Sequence, residues 1–213
     1  MKHSFVIALL VSIVLSYSHI YSQGIFLDKG EFGVFGNGGY TSLESSHATS
    51  FGGGFALGGI IELGFTSSTS EITLEMYGLG DEIEVNSRTV SLGVVLLKRK
   101  AQLEVNIGYT TSNESSNSFK SSDALLLGFN VGSEIKLHEK LSWYPVFSFA
   151  VGILTDEDSG NPVTALGLSA PILIAEHAYL GPTFALSEGD LSWGVTAGIL
   201  ISFDYDVNGD SGW

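Results

Sequence analysis

The sequence predicts an all-β protein: a closed antiparallel up-and-down transmembrane β-barrel of about ten strands, with eight as the alternative. Three observations predict this fold. Apolar residues alternate with small or polar ones along ten segments, as in strands with one apolar face. No apolar run after the first 22 residues reaches the roughly 18 needed for a membrane-spanning helix. Long and short connections tend to alternate, which is typical of a meander with its long loops on one side.

Residues 1–22 have the features of a secretory signal peptide. Lys2 gives the positive start, and an apolar stretch interrupted only by Ser12 follows it. That stretch is shorter than the about 20 residues of a spanning helix, so we expect cleavage after Ser22, with Ser18 as the alternative. The predicted organisation is a signal peptide at 1–22, a barrel at 23–207 and a polar tail at 208–213.

The alternating segments define the predicted strands in order. The first, 32–40, is patchy and rich in glycine, and the last is 191–205. Between them lie the segments 55–65, 72–76, 90–96, 103–109, 125–137, 143–153, 166–174 and 180–186. Each proline removes a ladder hydrogen bond, so Pro145, Pro171 and Pro182 are expected at strand ends or bulges.

The connections between these segments differ in length. Long ones are predicted at 41–50, 78–87, 112–122 and 155–162, and short ones at 66–70, 98–100, 138–140 and 176–177. The last connection, 187–190, is brief for its place in the series. An even number of strands puts both chain termini on the side of the short turns.

The composition of the two strand faces favours lipid on the apolar side. The other face is small and weakly polar, which suits a narrow interior. A soluble secreted barrel of the lipocalin type is the alternative, but its water-facing side would carry many more charged residues. Aromatic residues near strand ends predict two interface girdles: Tyr40, Tyr77, Tyr109 and Trp193 toward the long loops, and Phe65, Trp143, Tyr179, Phe203 and Tyr205 toward the short turns.

Charge and cysteine content exclude several classes of function. The formal net charge is −14, so nucleic acid is not expected as a partner. Only 15% of residues are charged, against roughly a quarter in ordinary globular domains, which disfavours disorder. The chain contains no cysteine, which excludes disulfides and thiolate chemistry.

Polar residues on the inward parity are the candidates for lining the lumen. A confined charge needs a partner or water, so they form either a hydrogen-bonded plug or a cation-favouring water path. They are Glu62, Glu71, Glu75, Glu104, Asn106, Asn130, Glu134 and Lys136.

Two further motifs suggest weaker hypotheses. His47 next to Glu44, Ser45 and Ser46 has the residue types of an enzyme at a barrel rim, although serine-rich loops supply such neighbours by chance. Asp204, Asp206 and Asn208 resemble the first half of a calcium loop, but the chain ends before the closing glutamate of such a loop. No cofactor is expected, and an enzymatic role is the least favoured.

These features together resemble bacterial outer-membrane β-barrel proteins of the small porin-like type. The resemblance covers residues of about 25–207 and rests on the signal peptide, the alternation, the loop order and the aromatic-rich final segment GVTAGILISFDY. It implies a location in the outer membrane of a Gram-negative cell envelope. It also implies contact with outer-membrane lipid, lipopolysaccharide and the barrel-insertion machinery.

The favoured function is a structural or surface-interaction role through the long extracellular loops, with an extracellular ligand as a further partner. The alternatives are a narrow cation-favouring channel or porin, and the soluble binding barrel.

Overall fold

A computed structural model describes the chain from residue 27 to residue 204, with gaps. The described residues are 27, 31–43, 46–73, 82–98, 101–114, 122–155, 162–175, 177–187 and 189–204. None of them belongs to a helix long and apolar enough to cross a membrane. The predicted signal peptide and polar tail lie outside the described residues.

The described residues form thirteen strands. In chain order these are β1 (Glu31–Leu43), β2 (Ser46–Leu57), β3 (Ile61–Thr73), β4 (Glu82–Lys98), β5 (Gln102–Glu114), β6 (Ser122–Gly132), β7 (Ile135–His138), β8 (Leu141–Trp143), β9 (Val146–Leu154), β10 (Val163–Ser169), β11 (Ile172–Ile174), β12 (Ala178–Ser187) and β13 (Asp190–Asp204).

The strands close into one antiparallel ring. Strands β1 to β6 pair in sequence order, β6 pairs with β9, β9 with β10, β10 with β12, β12 with β13, and β13 with β1. The short strands β7, β8 and β11 extend β6, β9 and β10 at the end of the barrel that carries β1's start and β13's finish. We call this the terminal end and the opposite one the far end. The wall therefore has ten strands, which confirms the predicted closed barrel.

Of the three prolines expected at strand ends or bulges, two interrupt wall strands and the third does not. Pro145 separates β8 from β9, and Pro171 separates β10 from β11. Pro182 lies inside β12, where its carbonyl accepts a hydrogen bond from the Ala170 N–H. N–H and C=O of one strand residue point to the same side, so the missing N–H faces the β10–β11 break rather than β13. Gly181 allows β12 to approach this break closely, because the backbone of Pro171 lies where a Cβ of residue 181 would be.

The predicted strand 55–65 is wrong, because the chain reverses in its middle. Gly58 and Gly59 adopt positive φ angles of 57° and 59° and turn β2 into β3. Such a turn suits glycine and matches the twist of a hairpin. Leu57 and Ile61 face each other across the turn and both point outward, so the apolar alternation continues through it.

Three predicted connections are wholly or largely strand instead. The polar segment 66–70 lies inside β3, the segment 41–50 lies mostly in β1 and β2, and residues 82–87 of the predicted connection 78–87 lie in β4. With the register shifted, Ile72 points inward and is buried, although the sequence placed it on the apolar face. The remaining long connections, which span 74–81, 115–121 and 155–162, join strands at the far end.

Outward-facing residues trace the tilt of the strands. One line of direct cross-strand neighbours circles the barrel from the start of β1 to the start of β13, and therefore climbs from the terminal end to the far end. This stagger is the shear of a tilted barrel. All ten members are apolar: Phe32, Leu57, Ile61, Val94, Val105, Phe129, Phe149, Leu166, Leu186 and Leu191.

The outer surface is a continuous apolar belt. On β13 it runs from Leu191 to Phe203, and twelve residues of strand tilted by about 40° span roughly 30 Å. This is enough to cover the apolar height of about 25 Å in barrels that cross a membrane. A closed ring also satisfies the wall's backbone groups without water. The exterior therefore faces hydrocarbon, which argues against the soluble alternative, whose apolar face would line the interior.

Candidate functional site

An acid–amide cluster lines the lumen toward the terminal end. Glu62 on β3, Glu104 and Asn106 on β5, and Asn130 on β6 all point inward and are buried. Glu104 is only 1% exposed, and its Oε2 accepts a hydrogen bond of 3.2 Å from Asn130 Nδ2. The structure thus brings four of the eight predicted lumen residues together on neighbouring strands.

Gly93 on β4 makes room for this cluster. It lies directly between Glu62 on β3 and Asn106 on β5. A Cβ at this position would collide with Glu104 Oε1 and Asn106 Oδ1. The missing side chain therefore lets carboxylate and amide oxygens gather over β4, where they form an electronegative patch suited to positively charged or hydrogen-bond-donating groups.

Two members of the cluster were not predicted from the sequence. Tyr144 and Gln102 are buried, and Tyr144 Oη donates to Gln102 Oε1 over 3.2 Å. Gly132 leaves space for the Tyr144 ring, since a Cβ there would lie 2.6 Å from Tyr144 Cε1. The available signal was parity: Trp143 faces outward, so the next residue of an extended chain points inward.

The other four predicted lumen residues lie elsewhere. Glu134 and Lys136 are exposed at the terminal end, near the short gap between β6 and β7. Glu134 Oε1 accepts a 2.6 Å hydrogen bond from Ser142 Oγ. Glu71 does not line the lumen: the register of β3 places it on the outer surface. Glu75 lies outside the described residues.

A second polar region lies on the outer surface at the far end, and we call it the raised rim. It comprises the outward polar positions beyond the apolar belt on β2 to β5: His47, Thr49, Ser67, Thr69, Glu71, Glu84, Asn86, Arg88, Thr111 and Asn113. On these strands the last apolar or aromatic residues before the rim are Phe51, Phe65, Val90 and Tyr109.

Contacts between neighbouring strands hold the raised rim together. His47 Nε2 lies 3.1 Å from Glu71 Oε2, and both side chains are about half exposed. Thr69 Oγ1 donates to Asn86 Oδ1, and Asn86 Nδ2 donates to Glu84 Oε1, each over 2.8 Å. Hydrogen bonds between strands and along them make the rim an ordered polar sheet surface.

Aromatic rings border the raised rim on the side of β13. The Tyr40 ring lies between the rings of His47 and Trp193, and the centroid distances are 6.2 Å and 6.5 Å, respectively. Tyr109 Oη donates to Asp123 Oδ2 over 2.7 Å on the other flank. Such rings, apolar in body and polar at one edge, suit the boundary between hydrocarbon and headgroups.

The predicted girdles need two corrections. Tyr40, Tyr109 and Trp193 face outward near the far end, and Trp143 and Phe203 face outward at the terminal end. Tyr179 is 4% exposed and points inward over Gly198, because Leu180 takes the outward position. Phe65 faces outward on β3 as the last apolar residue before the raised rim, so it borders the belt toward the far end. Tyr77 and Tyr205 lie outside the described residues.

Of the three residues proposed beside His47 for a rim enzyme, the structure describes only Ser46, and its side chain does not face His47. Ser46 points inward and its Oγ donates to the Leu43 carbonyl over 3.2 Å, whereas His47 points outward. Successive residues of a strand face opposite sides, so the two side chains cannot meet. Glu44 and Ser45 lie outside the described residues.

The candidate calcium loop falls at the edge of the described chain. Asp204 ends β13 opposite Glu31, and Asp206 and Asn208 lie outside the described residues. Within the described part of the chain, no three His, Asp or Glu side chains gather as a metal site would require.

No protein-family model and no curated protein matches the sequence. Among solved structures, the chain is similar to the β domain of the Bordetella autotransporter BrkA, at 12% identity, a TM-score of 0.49, and coverage of 83% of this chain and 100% of that one. It is similar to the translocator domain of the autotransporter NalP from Neisseria meningitidis, at 10% identity and a TM-score of 0.41, covering 93% and 96%. It is also similar to the KdgM porin, at 7% identity and a TM-score of 0.38, covering 78% and 98%.

Proposed function

We propose that this protein is an exported outer-membrane barrel that acts as a surface-interaction module. The interaction is made through the raised rim, which presents an ordered polar surface to the outside of the cell, and through the long connections on the same side. The apolar belt contacts outer-membrane lipid, and the aromatic rings at its border with the raised rim contact lipopolysaccharide. The closing strand β13 binds the insertion machinery. An extracellular ligand binds at the rim.

The observation that carries this proposal is the extension of β3 to β5 beyond the belt. Each of these strands continues past its last apolar or aromatic outward residue with at least two outward polar positions. A barrel that only needed to span the membrane could turn back at the belt, as β12 and β13 do at Leu186 and Leu191.

The proposed orientation follows from the connections. Outer-membrane barrels carry short turns on the periplasmic side and longer loops outside. Here the longer connections and the raised rim lie at the same end, opposite β1's start. We therefore place the far end outside the cell and the terminal end in the periplasm.

Attachment of cells that display the protein tests the proposal. A rim variant combines Thr69→Ala, Glu84→Ala and Asn86→Ala, and a control variant carries Ser192→Ala on the inner face of β13. Attachment to immobilised extracellular matrix and to cultured epithelial cells is compared at equal surface amounts. We expect wild type and control to attach alike, and the rim variant to lose at least half. Equal attachment by all three and by cells without the protein contradicts the proposal.

A second candidate function is a narrow cation-favouring channel. The acid–amide cluster favours it, because buried carboxylate and amide oxygens on β3, β5 and β6 attract cations into the lumen. Reversal potentials in a planar bilayer under a potassium chloride gradient test it. Glu62→Gln combined with Glu104→Gln is expected to reduce the preference for cations. An intact barrel without conductance rejects this function.

A further inference from the structure

Leu27 precedes β1 in sequence, yet its side chain lies inside the barrel. It is 0% exposed and packs in one apolar cluster with Phe35, Ala56 and Leu200. These three partners are inward positions of β1, β2 and β13, because the residues beside them in sequence, such as Val34 and Ile199, face outward. The chain therefore places an apolar side chain on the inner wall before it enters that wall.

Gly33 forms the seat for Leu27. A Cβ on Gly33 would lie 2.8 Å from both Cδ atoms of Leu27 and 2.9 Å from Leu200 Cδ1. Gly33 is not among the described glycines with positive φ, so its backbone conformation does not require glycine. The space that glycine leaves is instead filled by the two leucine side chains.

The seat lies at the terminal end. Gly33 pairs directly with Ser202, two residues from the end of β13, and with Ala56 next to the β2–β3 turn. The acid–amide cluster lies on other strands of the wall, where Glu62, Glu104 and Tyr144 are also buried. At this end the lumen thus has an apolar wall of β13, β1 and β2 and a polar wall of β3, β5 and β6.

We propose that Leu27 is a seal: it closes the lumen at the terminal end by packing on the apolar wall, and Gly33 is the residue that admits it. The seal is a contact within the chain, made with inward residues of β1, β2 and β13. A polar residue at 27, or a side chain at 33, opens it.

The chain contains no cysteine, so single cysteines report accessibility cleanly. Leu27→Cys in the folded barrel is treated with a membrane-impermeant maleimide, with His138→Cys at the exposed end of β7 as the reference. We expect the cysteine at 27 to react at least tenfold more slowly. Adding Gly33→Val is expected to abolish most of this protection, whereas Gly36→Val, on the outer face of the same strand, leaves it unchanged. Equal rates for the cysteines at 27 and 138 overturn the proposal.

A second pair of variants leaves Gly33 unchanged, in case valine there prevents folding. Ser202→Cys faces Gly33 across the β1–β13 ladder and reports the opening of the seal. Leu27→Asn is expected to raise its labelling rate at least fivefold, while heat-modifiable gel migration shows an intact barrel. An unchanged rate with the barrel intact overturns the proposal.

Discussion

Two parts of the barrel, β2 to β5 (the first wall) and β9, β10 and β12 (the second wall), follow the same alternation of side chains. They differ at the far end, on both the outer and the inner face. Outside, the first wall continues into the raised rim, whereas Ile153 and Leu186 keep the second apolar almost to its strand ends. Inside, the first wall carries rows of serine and threonine. The second carries a buried apolar cluster of Ala124, Leu126, Ala150, Ala165 and Ala185, with β6 as its border.

The two walls are stabilised by different interactions. On the first wall, hydroxyl pairs bridge β4 and β5: Thr89 Oγ1 lies 2.6 Å from Thr110 Oγ1, and Ser87 Oγ lies 2.8 Å from Ser112 Oγ. On the second wall, close packing of small apolar groups does this work. Small inward side chains can therefore stabilise a strand pair either by hydrogen bonds or by apolar packing. Of the two walls, only the one with the hydroxyl hydrogen bonds continues beyond the belt.

The largest expected effect comes from the buried apolar cluster that contains Leu126. Leu126→Ala removes a fully buried side chain and leaves a cavity, so the free energy of unfolding should fall by about 2–5 kcal/mol. The neighbouring Leu127→Ala faces lipid, whose chains can fill the vacated space, so its loss should be clearly smaller. Urea unfolding in lipid vesicles measures both. Similar losses for the two variants would contradict the assignment of the inner and outer faces.

The next effect separates the belt from the raised rim. Leu168→Arg places a charge on the apolar outer face of β10 and should cost about 2–4 kcal/mol near the bilayer midplane. Asn113→Arg on the rim should change the stability by no more than about 0.5 kcal/mol. The same vesicle unfolding assay applies. A large cost at Asn113 would show that hydrocarbon reaches the rim.

A smaller effect tests the hydroxyl wall. Thr89→Val or Thr110→Val alone leaves a buried hydroxyl without its partner and should cost about 1–3 kcal/mol. The double variant replaces both hydroxyls with groups of the same shape and should recover most of that loss. A double-mutant cycle measures the coupling. Additive losses would show that the two hydroxyls stabilise the wall independently.

The smallest effect is expected at the contact between His47 and Glu71 on the raised rim. Glu71→Gln removes the charge that faces His47 in a half-exposed pair, so the loss should be about 0.2–1 kcal/mol at low salt. The difference from wild type should shrink at high salt, because exposed charges are screened. A loss that does not change with salt would indicate that Glu71 acts through packing.

The sequence was sufficient to predict the architecture, because the alternation depends on local geometry. The strand segments from Leu125 to Val131 and from Leu191 to Phe203 turn their side chains to the predicted faces. Their outward residues repeat every second position, which is the signature of a strand whatever its neighbours are. The parity argument likewise put Glu104 and Asn130 on the inner face.

Strand boundaries were harder to predict in the first third of the chain. Polar residues at 66–70 have the composition of a loop, but pairing of β3 with β2 and β4 keeps them in the sheet. The turn at Gly58 and Gly59 was hidden by an alternation that runs across it. Because 66–70 was predicted to be a turn, the residues after it were assigned to the opposite faces of the sheet. Glu71 was therefore expected on the inner face, although it lies on the outer one. Propensity is weak where neighbouring strands decide the pairing.

Contacts between distant residues could not be predicted from local patterns. The seat of Leu27 depends on β2 and β13, which are far apart in sequence. The place of Tyr144 depends on Gly132 and Gln102, which belong to other strands. Neither a glycine nor a tyrosine carries a local signal of such a partner, so these parts of the site required the structure.

The pairing of β1 with β13 also governs how the protein assembles. Twelve residue pairs, from Glu31 with Asp204 to Ser42 with Trp193, join the first wall strand to the last. Until β13 is synthesised, β1 and β12 each keep an open edge that hydrocarbon cannot solvate. Contacts this distant in sequence form slowly. Insertion must therefore wait for the complete chain, and a truncation before β13 leaves a sheet that cannot enter the bilayer.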